Sequence, residues 1–481
     1  MVADDGVLAA QAQMGAGGMN VTYRSTRGRA PDVDFEGVLL SGLARDGGLY
    51  VPVKWPQFDG AAIRAMRGQS YERIACRVLE PFVGSGFDAA ELGTLVESAY
   101  AGFASPERCP LAELDQGLFL LELHHGPTLA FKDFALSLVA RMFNAVLASR
   151  GERVVILGAT SGDTGSAAID AFRGLPAVEV VILYPEGRVS EIQRRQMTTP
   201  EERNVHAVPV QGDFDVCQAI VKSLFNDLPF RDRHRLAAVN SINWARIVAQ
   251  MAYYFAAVVR LDAFERKVSF VVPTGNFGDI YAGYAARQCG LPIEALHIAT
   301  NRNDILCRVL ATGSYCPDAV HATMSPSMDI QVSSNFERAL FAACGEDGER
   351  VRGLMARLAD GGFALDGAEV ASLREDFQAG RCGEDETLSE IAGVWRERGV
   401  MLCPHSAVGV HVARRVAGDG PVVALATAHP AKFPEAVGAA CGETPAIPDR
   451  LQTVLDRNER SVPCMAGLED VRRFIEELKA Q

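Results

Sequence analysis

From residue 111 onward, short apolar runs alternate with longer segments of helical spacing, and this alternation restricts the fold more than any other feature. VVILG (154–158), VEVVILYP (178–185) and KVSFVVP (267–273) have the length and composition of buried strands, and a helical pattern follows each of them. Strands that alternate with helices are typical of βαβ units, in which the strands are parallel. The sequence therefore predicts an α/β fold with mainly parallel sheets flanked by helices.

The chain of 481 residues is long enough for two or three domains and a large core. Residues 19–104 contain short apolar stretches and two helical patterns, which predict a small N-terminal α+β domain. Residues 105–440 contain the alternating pattern and predict two α/β subdomains, and residues 441–481 predict a C-terminal helical extension. Residues 1–18 contain two acids and no Lys or Arg, which does not fit a signal or transit peptide. We expect a disordered leader there, with Met19 as a candidate start.

The overall charge and the cysteines exclude several kinds of partner and location. A net charge of −13 argues against nonspecific binding of nucleic acid, and no basic patch indicates a membrane surface. No apolar run is long enough to span a bilayer. The 11 cysteines are scattered and include no CxxC pair, which indicates reduced thiols in the cytoplasm.

Lys132 lies at the start of an amphipathic helix in HHGPTLAFKDFALSLVARMF, residues 124–143. A strand-like run and a turn at Gly126–Pro127 precede it. The positive end of the helix dipole and desolvation between Phe131 and Phe134 both lower the pKa of a lysine at this position. A neutral amine is the form that attacks a carbonyl to make a Schiff base. Spacing alone also fits a solvated lysine at a helix start, so other motifs have to decide.

Two glycine-rich loops each lie between a strand and a helix: SGDTGSAA (161–168) and TGNFGD (274–279). Glycines let the backbone approach a ligand closely, and a helix N-terminus favours an anion. The spacing of the first loop is that of neither a dinucleotide loop nor a P-loop, and a tight turn would explain this loop taken alone. A cofactor with both an aldehyde and a phosphate accounts for both loops and for Lys132. Pyridoxal 5'-phosphate has these two groups.

Four motifs in fixed order, HGPTLAFKDF, ATSGDTGSAA, PTGNFGD and ATAHPAKFPEA, resemble those of threonine synthase. YRSTRG and GGLYVP resemble the N-terminal domain of that family, so the resemblance covers nearly the whole chain from Met19. It implies a fold-type-II pyridoxal-phosphate enzyme, a carbon–oxygen lyase acting on phosphates. It also implies the conversion of O-phospho-L-homoserine and water to L-threonine and phosphate, the last step of threonine biosynthesis.

The resemblance also implies roles for single residues. Lys132 is the catalytic lysine that forms the Schiff base, and Thr427 resembles the residue that meets the pyridine nitrogen. Relatives carry Asn beside the cofactor's phenolic oxygen where this chain has Asp163. The other cofactor-binding residues form the second glycine loop: Gly275, Asn276, Phe277, Gly278 and Asp279.

The leaving phosphate of the substrate needs a cationic site separate from that of the cofactor. Arg246 and Lys432 are our candidates, and Arg194, Arg195 and Lys54 are further possibilities. A solvated helix face is the alternative explanation for each charged residue. The uncharged residues that we predict near the substrate are Ser161, Gly162, Thr164, Asn240, Ser241 and Asn243.

We predict no metal site and no macromolecular partner. His124, His125, His405 and His429 do not have the spacing of metal ligands. The partner implied by the resemblance is the small-molecule substrate O-phospho-L-homoserine, without nucleic acid or membrane. The same resemblance implies a monomer or a homodimer.

Two other functions share the same motifs. A phospholyase similar to threonine synthase would eliminate phosphate from phosphohomoserine without productive addition of water. A noncatalytic protein could keep the cofactor fold for binding alone. An intact Lys132 and an intact TGNFGD argue against the second alternative, because binding alone needs neither.

Overall fold

The protein is described by a computed structural model that covers residues 21–160, 162–238, 240–416, 418–460 and 462–478. The predicted leader, residues 1–18, and the candidate start Met19 lie outside these ranges, as does Ser161. Within the ranges, no helix is long and apolar enough to cross a membrane.

The N-terminal region consists, in chain order, of β1 (Tyr23–Ser25), α1 (Phe35–Ser41), β2 (Tyr50–Pro52), α2 (Gly60–Arg64), α3 (Tyr71–Val83) and α4 (Ala89–Tyr100). Side-chain caps begin all four of its helices, since Asp34, Asp59, Ser70 and Asp88 accept hydrogen bonds from the first turns of α1, α2, α3 and α4. Pro81 lies in the last turn of α3, and the helix continues to Val83, which is buried. Strands and helices mix here, which confirms the predicted α+β character.

The next part of the chain contains Lys132 and the first glycine-rich loop. Its elements are β3 (Leu111–Asp115), β4 (Leu118–Glu122), α5 (Lys132–Arg150), β5 (Val154–Ala159), α6 (Asp163–Phe172), β6 (Val178–Pro185), α7 (Glu191–Thr198), β7 (Val205–Val210), α8 (Phe214–Asn226), α9 (Leu228–His234) and β8 (Leu236–Ala237). α5 begins at Lys132, as predicted, and ends before Gly151, which has a φ of 62°. A left-handed residue of this kind commonly ends a helix.

The remaining elements are α10 (Trp244–Arg260), β9 (Val268–Pro273), α11 (Gly278–Gln288), β10 (Ile293–Thr300), α12 (Ile305–Thr312), β11 (Ser314–Tyr315), α13 (Phe336–Ala343), α14 (Gly348–Ala359), β12 (Phe363–Ala364), α15 (Gly367–Asp376), β13 (Phe377–Arg381), α16 (Glu384–Arg398), α17 (Pro404–Ala413), β14 (Val422–Ala426), α18 (Pro434–Cys441), α19 (Asp449–Asp456) and α20 (Leu468–Leu478). The sequence predicts residues 350–400 as helical, and β13 corrects that prediction. Only Phe377 of β13 is buried, so this strand has no apolar run that marks it. α19 was also not predicted, since Leu451 is its one buried residue.

Two largely parallel sheets carry the catalytic region. The smaller sheet has four parallel strands in the order β7-β6-β5-β8. The larger sheet has six strands in the order β13-β10-β9-β14-β4-β3, and only the β3–β4 pair is antiparallel. Helices pack against both sheets, and α20 buries Val471 and Ile475 in the apolar cluster of the smaller sheet. The predicted α/β class with mainly parallel sheets is confirmed.

Helix α10 and strand β14 determine where the functional residues meet. α10 is buried along its length from Trp244 to Val259, and most of its side chains are apolar. In the larger sheet β14 pairs in parallel with both β9 and β4, so the segments after all three strands leave the same edge of the sheet. Ligands of open α/β sheets bind outside the carboxyl ends of the strands.

Candidate active site

A cavity with about 730 Å³ of space, part of it open to solvent, lies at this edge of the larger sheet. The starts of α5, α6, α10 and α11 reach it, together with the residues that follow β14. The predicted site residues that line it are Lys132, Asp163, Thr164, Ser241, Arg246, Gly275, Asn276, Phe277, Gly278, Asp279 and Thr427. The structure thus brings together residues from five separate segments of the chain.

Lys132 occupies the first position of α5, and its side chain is only 11 % exposed. Its Nζ lies 4.8 Å from the centre of the Phe131 ring and 3.9 Å from Asp163 Oδ2. Burial, together with the nearby cations Lys432 and Arg246, lowers the pKa of Lys132 below its usual value, although Asp163 opposes this shift. The direction agrees with the prediction from the sequence, and it favours a reactive amine.

Asp163 is a buried carboxylate with partners inside the protein. Lys432 Nζ lies 2.6 Å from its Oδ1, and Gln193 donates a hydrogen bond to the same oxygen at 3.0 Å. Burial disfavours the ionised form, but Lys432 and Lys132 outweigh burial and hold the pKa of Asp163 well below its usual range. Asp163 is therefore a fixed negative charge beside Lys132.

Lys432, predicted as a candidate ligand of the substrate phosphate, does not lie at the cavity wall. Its side chain is fully buried, and its Nζ also donates to the Thr128 carbonyl at 2.9 Å. Because Asp163 and Thr128 take up the ammonium, the structure does not bring Lys432 to the cavity lining. No sequence pattern announces this pairing, because the two residues belong to motifs far apart in the chain.

Other predicted substrate residues also lie away from the cavity lining. The side chain of Asn243 caps α10 by accepting from Ala245 N at 2.9 Å, and it donates to the Leu39 carbonyl at 2.8 Å. Asn240 is exposed. Among the further possibilities, Arg194 pairs with Glu459 at 2.9 Å, Arg195 pairs with Glu191 at 3.0 Å, and Lys54 is exposed.

Gly162 explains why the first loop is rich in glycine. Its φ is 152°, and a Cβ at this position would lie 2.4 Å from Gln193 Oε1. A side chain would displace Gln193 from Asp163, so this glycine permits the contact on which the carboxylate depends. Thr160 Oγ1 accepts hydrogen bonds from Gly162 N and Gly165 N at 3.0 and 2.9 Å, which fixes the loop before α6 begins.

The second glycine loop is held from outside by residues 333–335. Gly275 O accepts from Ser333 Oγ at 2.7 Å, and Asn276 O accepts from Asn335 N at 3.0 Å. Phe277, with a φ of 64°, then turns the chain into α11. The loop therefore presents the N-terminus of α11 to the cavity in a fixed position, where an anionic group is favoured.

Asp279 follows in the first turn of α11, and two tyrosines hold it. Tyr253 donates a short hydrogen bond to its Oδ1, and Tyr254 donates to the same atom at 3.1 Å. Burial raises the pKa of Asp279 to about 6, although both hydroxyls oppose the shift. Asp279 thus differs from Asp163, whose charge is balanced by lysines.

Arg246, on the first turn of α10, is only 4 % exposed and lines the cavity. Its Nε and Nη1 have no hydrogen-bond partner among the described residues. Burial lowers its pKa to about 10, so the guanidinium stays charged near neutral pH. A buried cation without a partner costs several kcal/mol, on the order of 3–5, unless an anion compensates it. Arg246 is therefore the part of the site that most clearly awaits an anionic ligand.

Sequence reasoning missed several residues of the cavity. Gln250 lies one turn after Arg246 on the same face of α10, and this i, i+4 relation could have found it.

His405, predicted to have no special role, lines the cavity, and its Nε2 accepts from Ser327 N at 3.2 Å. Burial lowers the pKa of His405 to about 3, so it is neutral at physiological pH. Ser327 belongs to a short 3-10 helix, Pro326–Met328, whose sequence did not indicate a role in the site.

The donor set fits pyridoxal phosphate. Lys132 offers a buried amine for the aldehyde, the fixed loop at the start of α11 offers backbone N–H groups for the phosphate, and Thr427 offers a hydroxyl. Arg246 remains for a second anion. These groups suit a phosphorylated amino acid that reacts at a cofactor aldehyde.

Comparisons with known proteins agree with this chemistry. Three family models match the chain: threonine synthase N terminus at residues 22–100, pyridoxal-phosphate dependent enzyme at 107–374, and threonine synthase C-terminal at 406–475. A threonine synthase of Pseudomonas aeruginosa is 49 % identical over 457 residues, which cover 94 % of this chain and 97 % of that protein. The crystal structure of pyridoxal-phosphate-bound threonine synthase from Brucella melitensis superposes with a TM-score of 0.93 at 53 % identity, over 95 % of this chain and 99 % of that one. Threonine synthase from yeast superposes with a TM-score of 0.91 at 40 % identity, over 96 % and 99 % of the two chains.

Proposed function

This chain belongs to the threonine synthase family of pyridoxal-phosphate-dependent lyases, and we propose on that basis that it converts O-phospho-L-homoserine and water to L-threonine and phosphate. The choice of substrate rests on two features of the same cavity. Burial lowers the pKa of Lys132 and so favours its neutral amine, and Arg246 is a buried cation without a protein partner among the described residues. An amino acid with an anionic leaving group satisfies both.

We propose Lys132 as the residue that attaches the cofactor aldehyde, and the loop from Gly275 to Asp279 as the holder of its phosphate. Thr427, which lines the cavity, would offer its hydroxyl to the ring nitrogen. When bound, pyridoxal phosphate withdraws electrons from the carbon atoms next to the substrate nitrogen, which makes their protons acidic. A hydroxyl such as that of Thr427 does not hold a proton on the ring nitrogen as strongly as a carboxylate would.

With substrate bound, a free Lys132 Nζ would act as the general base at the substrate Cα and return protons to neighbouring carbons. Asp163 keeps a negative charge 3.9 Å from this nitrogen, and Lys432 prevents that charge from becoming an unpaired buried carboxylate. Arg246 binds the phosphate of the substrate and stabilises it as it leaves. Ser241 and Thr164, at the cavity wall, donate hydrogen bonds to the substrate carboxylate.

Product analysis tests this proposal. The purified protein is incubated with O-phospho-L-homoserine and pyridoxal phosphate, and phosphate, threonine and 2-oxobutyrate are quantified together. Equal amounts of phosphate and threonine are expected. Phosphate with 2-oxobutyrate and no threonine would identify a phospholyase instead, and no phosphate from a protein that holds the cofactor would indicate either another amino-acid substrate or a binding protein.

We propose the cytoplasm as the location, because all 11 cysteines are free thiols and a reducing compartment keeps them so. The expected assembly is a monomer or a homodimer. Light scattering on the purified protein measures the mass directly, and a mass of one or two chains is the expected result.

A further inference from the structure

Four titratable side chains meet where β4 and β14 end. Glu122 is the last residue of β4, and His124 and His125 follow it. His429 comes shortly after β14, the parallel neighbour of β4, and therefore reaches the same edge of the sheet. The His124 ring stacks on that of His125 with centroids 4.9 Å apart, and it lies 5.4 Å from the ring of His429.

Three of these residues present ligand atoms to one point. One atom each from Glu122, His124 and His125 lie within 4.8 Å of one another. His124 Nδ1 is buried and has no hydrogen-bond partner in the described part of the chain. Imidazole nitrogens and a carboxylate oxygen are ligands that Zn²⁺ prefers, at about 2.0–2.2 Å. Binding would require the three side chains to rotate until these atoms reach such distances from a shared ion.

We propose that Glu122, His124 and His125 form a binding site for Zn²⁺ or a similar divalent transition-metal ion, with water completing the coordination. This departs from the prediction of no metal site, which rested on spacing along the chain. The end of β4 directs Glu122 and both histidines to one place, and the sequence spacing does not show this.

The cluster is accessible to a metal ion. Glu122 Oε2 and His125 Nε2 are 2.7 Å apart and share a hydrogen bond, and a metal ion would replace the proton between them. The side chains of Glu122 and His125 are 26 % and 24 % exposed, which gives an ion a path from solvent.

A second cluster, Cys382, Glu386 and His411, also gathers ligand atoms within 4.8 Å. Its carboxylate already faces a cation, because Arg415 Nη2 lies 3.7 Å from Glu386 Oε1. A metal ion would have to displace or repel that guanidinium. Among the described residues Glu122 forms its ion pair with His125 alone, so the cluster at β4 is the better site.

A bound ion would fix the segment that leads to Lys132. His125 O accepts a hydrogen bond from Ala104 N at 2.8 Å, and Leu129 O accepts one from His429 N at 3.0 Å. The cluster therefore ties the start of this segment to its neighbours. We expect Zn²⁺ to slow turnover by stiffening it, although the proposed binding does not depend on which reaction the enzyme catalyses.

Calorimetric titration of ZnCl₂ into the chelator-treated holoenzyme tests the site. The wild type should bind one ion at this site, and Glu122→Gln and His125→Asn should each weaken its affinity by more than about 10-fold, the smallest loss seen even for residues behind the ligands. His411→Asn is the matched control in the other cluster and should leave the affinity unchanged. The visible band of the bound cofactor, measured in every variant, reports an intact fold.

Equal Zn²⁺ affinity in the wild type, E122Q and H125N would overturn the proposal, as would loss of binding in H411N instead. If H125N loses its cofactor band, E122Q, which keeps the volume of the side chain, decides the question. Titration with Co²⁺ gives a second readout, because its d–d absorption should appear in the wild type and weaken in E122Q.

Discussion

The two sides of the active-site cavity balance their buried charges in opposite ways. On the paired side, formed by Lys132, Asp163 and Lys432, every charge faces an opposite charge within 3.9 Å. On the open side, Arg246 is just as deeply buried, yet two of its nitrogens have no partner among the described residues. Pairing inside the protein fixes a reactive group, whereas an unpaired buried cation leaves its binding energy for an anion that arrives from solvent.

Replacing Lys132 with Ala is the most severe test of the paired side. Turnover should fall by more than about 10⁴-fold, because the variant loses both the attachment of the cofactor and the general base. The free energy of unfolding should change by less than about 2 kcal/mol, since Asp163 keeps its 2.6 Å contact with Lys432. Steady-state kinetics and denaturant unfolding measure the two effects. Full activity without a bound chromophore would remove Lys132 from the mechanism.

Replacing Lys432 with Met breaks the pair itself. Asp163 is then a buried carboxylate whose nearest lysine is 3.9 Å away, and the free energy of unfolding should fall by about 3–5 kcal/mol. Lys267→Met is the matched control, because Lys267 pairs with Glu294 at 3.7 Å on the surface, where loss costs less than about 1 kcal/mol.

A double variant shows whether the charge of Asp163 causes the loss. Asp163→Asn combined with Lys432→Met removes both charges and should recover a large part of the stability that Lys432→Met loses. Similar losses for Lys432→Met and Lys267→Met would mean that water already reaches Asp163 and that the paired side does not depend on Lys432.

The sequence predicts the secondary structure around the two sides of the cavity, but it does not predict which charges pair there. The strand Val178–Pro185 and the helix that begins at Lys132 follow from local pattern; the strand has the predicted bounds, and the helix has the predicted start and extends to Arg150. Lys432 was predicted as a phosphate ligand, because a sequence shows that a cation is present but not which anion faces it. The motifs around Asp163 and Lys432 meet only through the packing of β14 beside β4 and the start of α6.

Arg246 was predicted as a candidate phosphate ligand. The sequence does not show that it is buried without a hydrogen-bond partner for its Nε and Nη1 among the described residues. Its burial depends on α10 being enclosed over its whole length, which involves helices from the N-terminal region as well as α5 and α11. The strand Phe377–Arg381 was missed for the opposite reason: it lies at a sheet edge and buries a single side chain. Local pattern predicts elements with buried faces, whereas charge pairing and edges depend on the complete fold.

Replacing Arg246 with Met tests the open side. Affinity for O-phospho-L-homoserine, and for inorganic phosphate as an inhibitor, should fall by about 10- to 100-fold, the value of one or two charged hydrogen bonds. The free energy of unfolding should stay constant or rise, since no internal partner is lost. This is the reverse of the expectation for Lys432→Met. Arg64→Met, at an exposed arginine, is the control, and normal substrate affinity in Arg246→Met would exclude Arg246 as the phosphate ligand.

The smallest predicted effect is a change in the pH dependence of the unfolding free energy. This dependence has opposite signs for the two buried acids, Asp163 and Asp279. Burial raises the pKa of Asp279 from 3.8 to about 6, so its protonated form is favoured in the folded state. Its stabilising contribution is therefore complete below pH 3.8 and is lost as the pH rises through about 6. Asp163 has the opposite sign, because its lowered pKa makes its contribution present at neutral pH and lost only in acid.

Unfolding free energies of the wild type and of Asp279→Asn, measured between about pH 5 and pH 7, should differ in slope by about 1 kcal/mol over that range, with the wild type losing stability as the pH rises. Tyr254→Phe removes a hydroxyl that donates to the carboxylate at 3.1 Å, so it should raise the pKa of Asp279 and move the loss to higher pH. Parallel pH profiles in the wild type and Asp279→Asn would mean that Asp279 is ionised throughout. The tyrosine hydroxyls would then balance its charge as completely as Lys432 balances that of Asp163, and the contrast between the two sides would reduce to Arg246 alone.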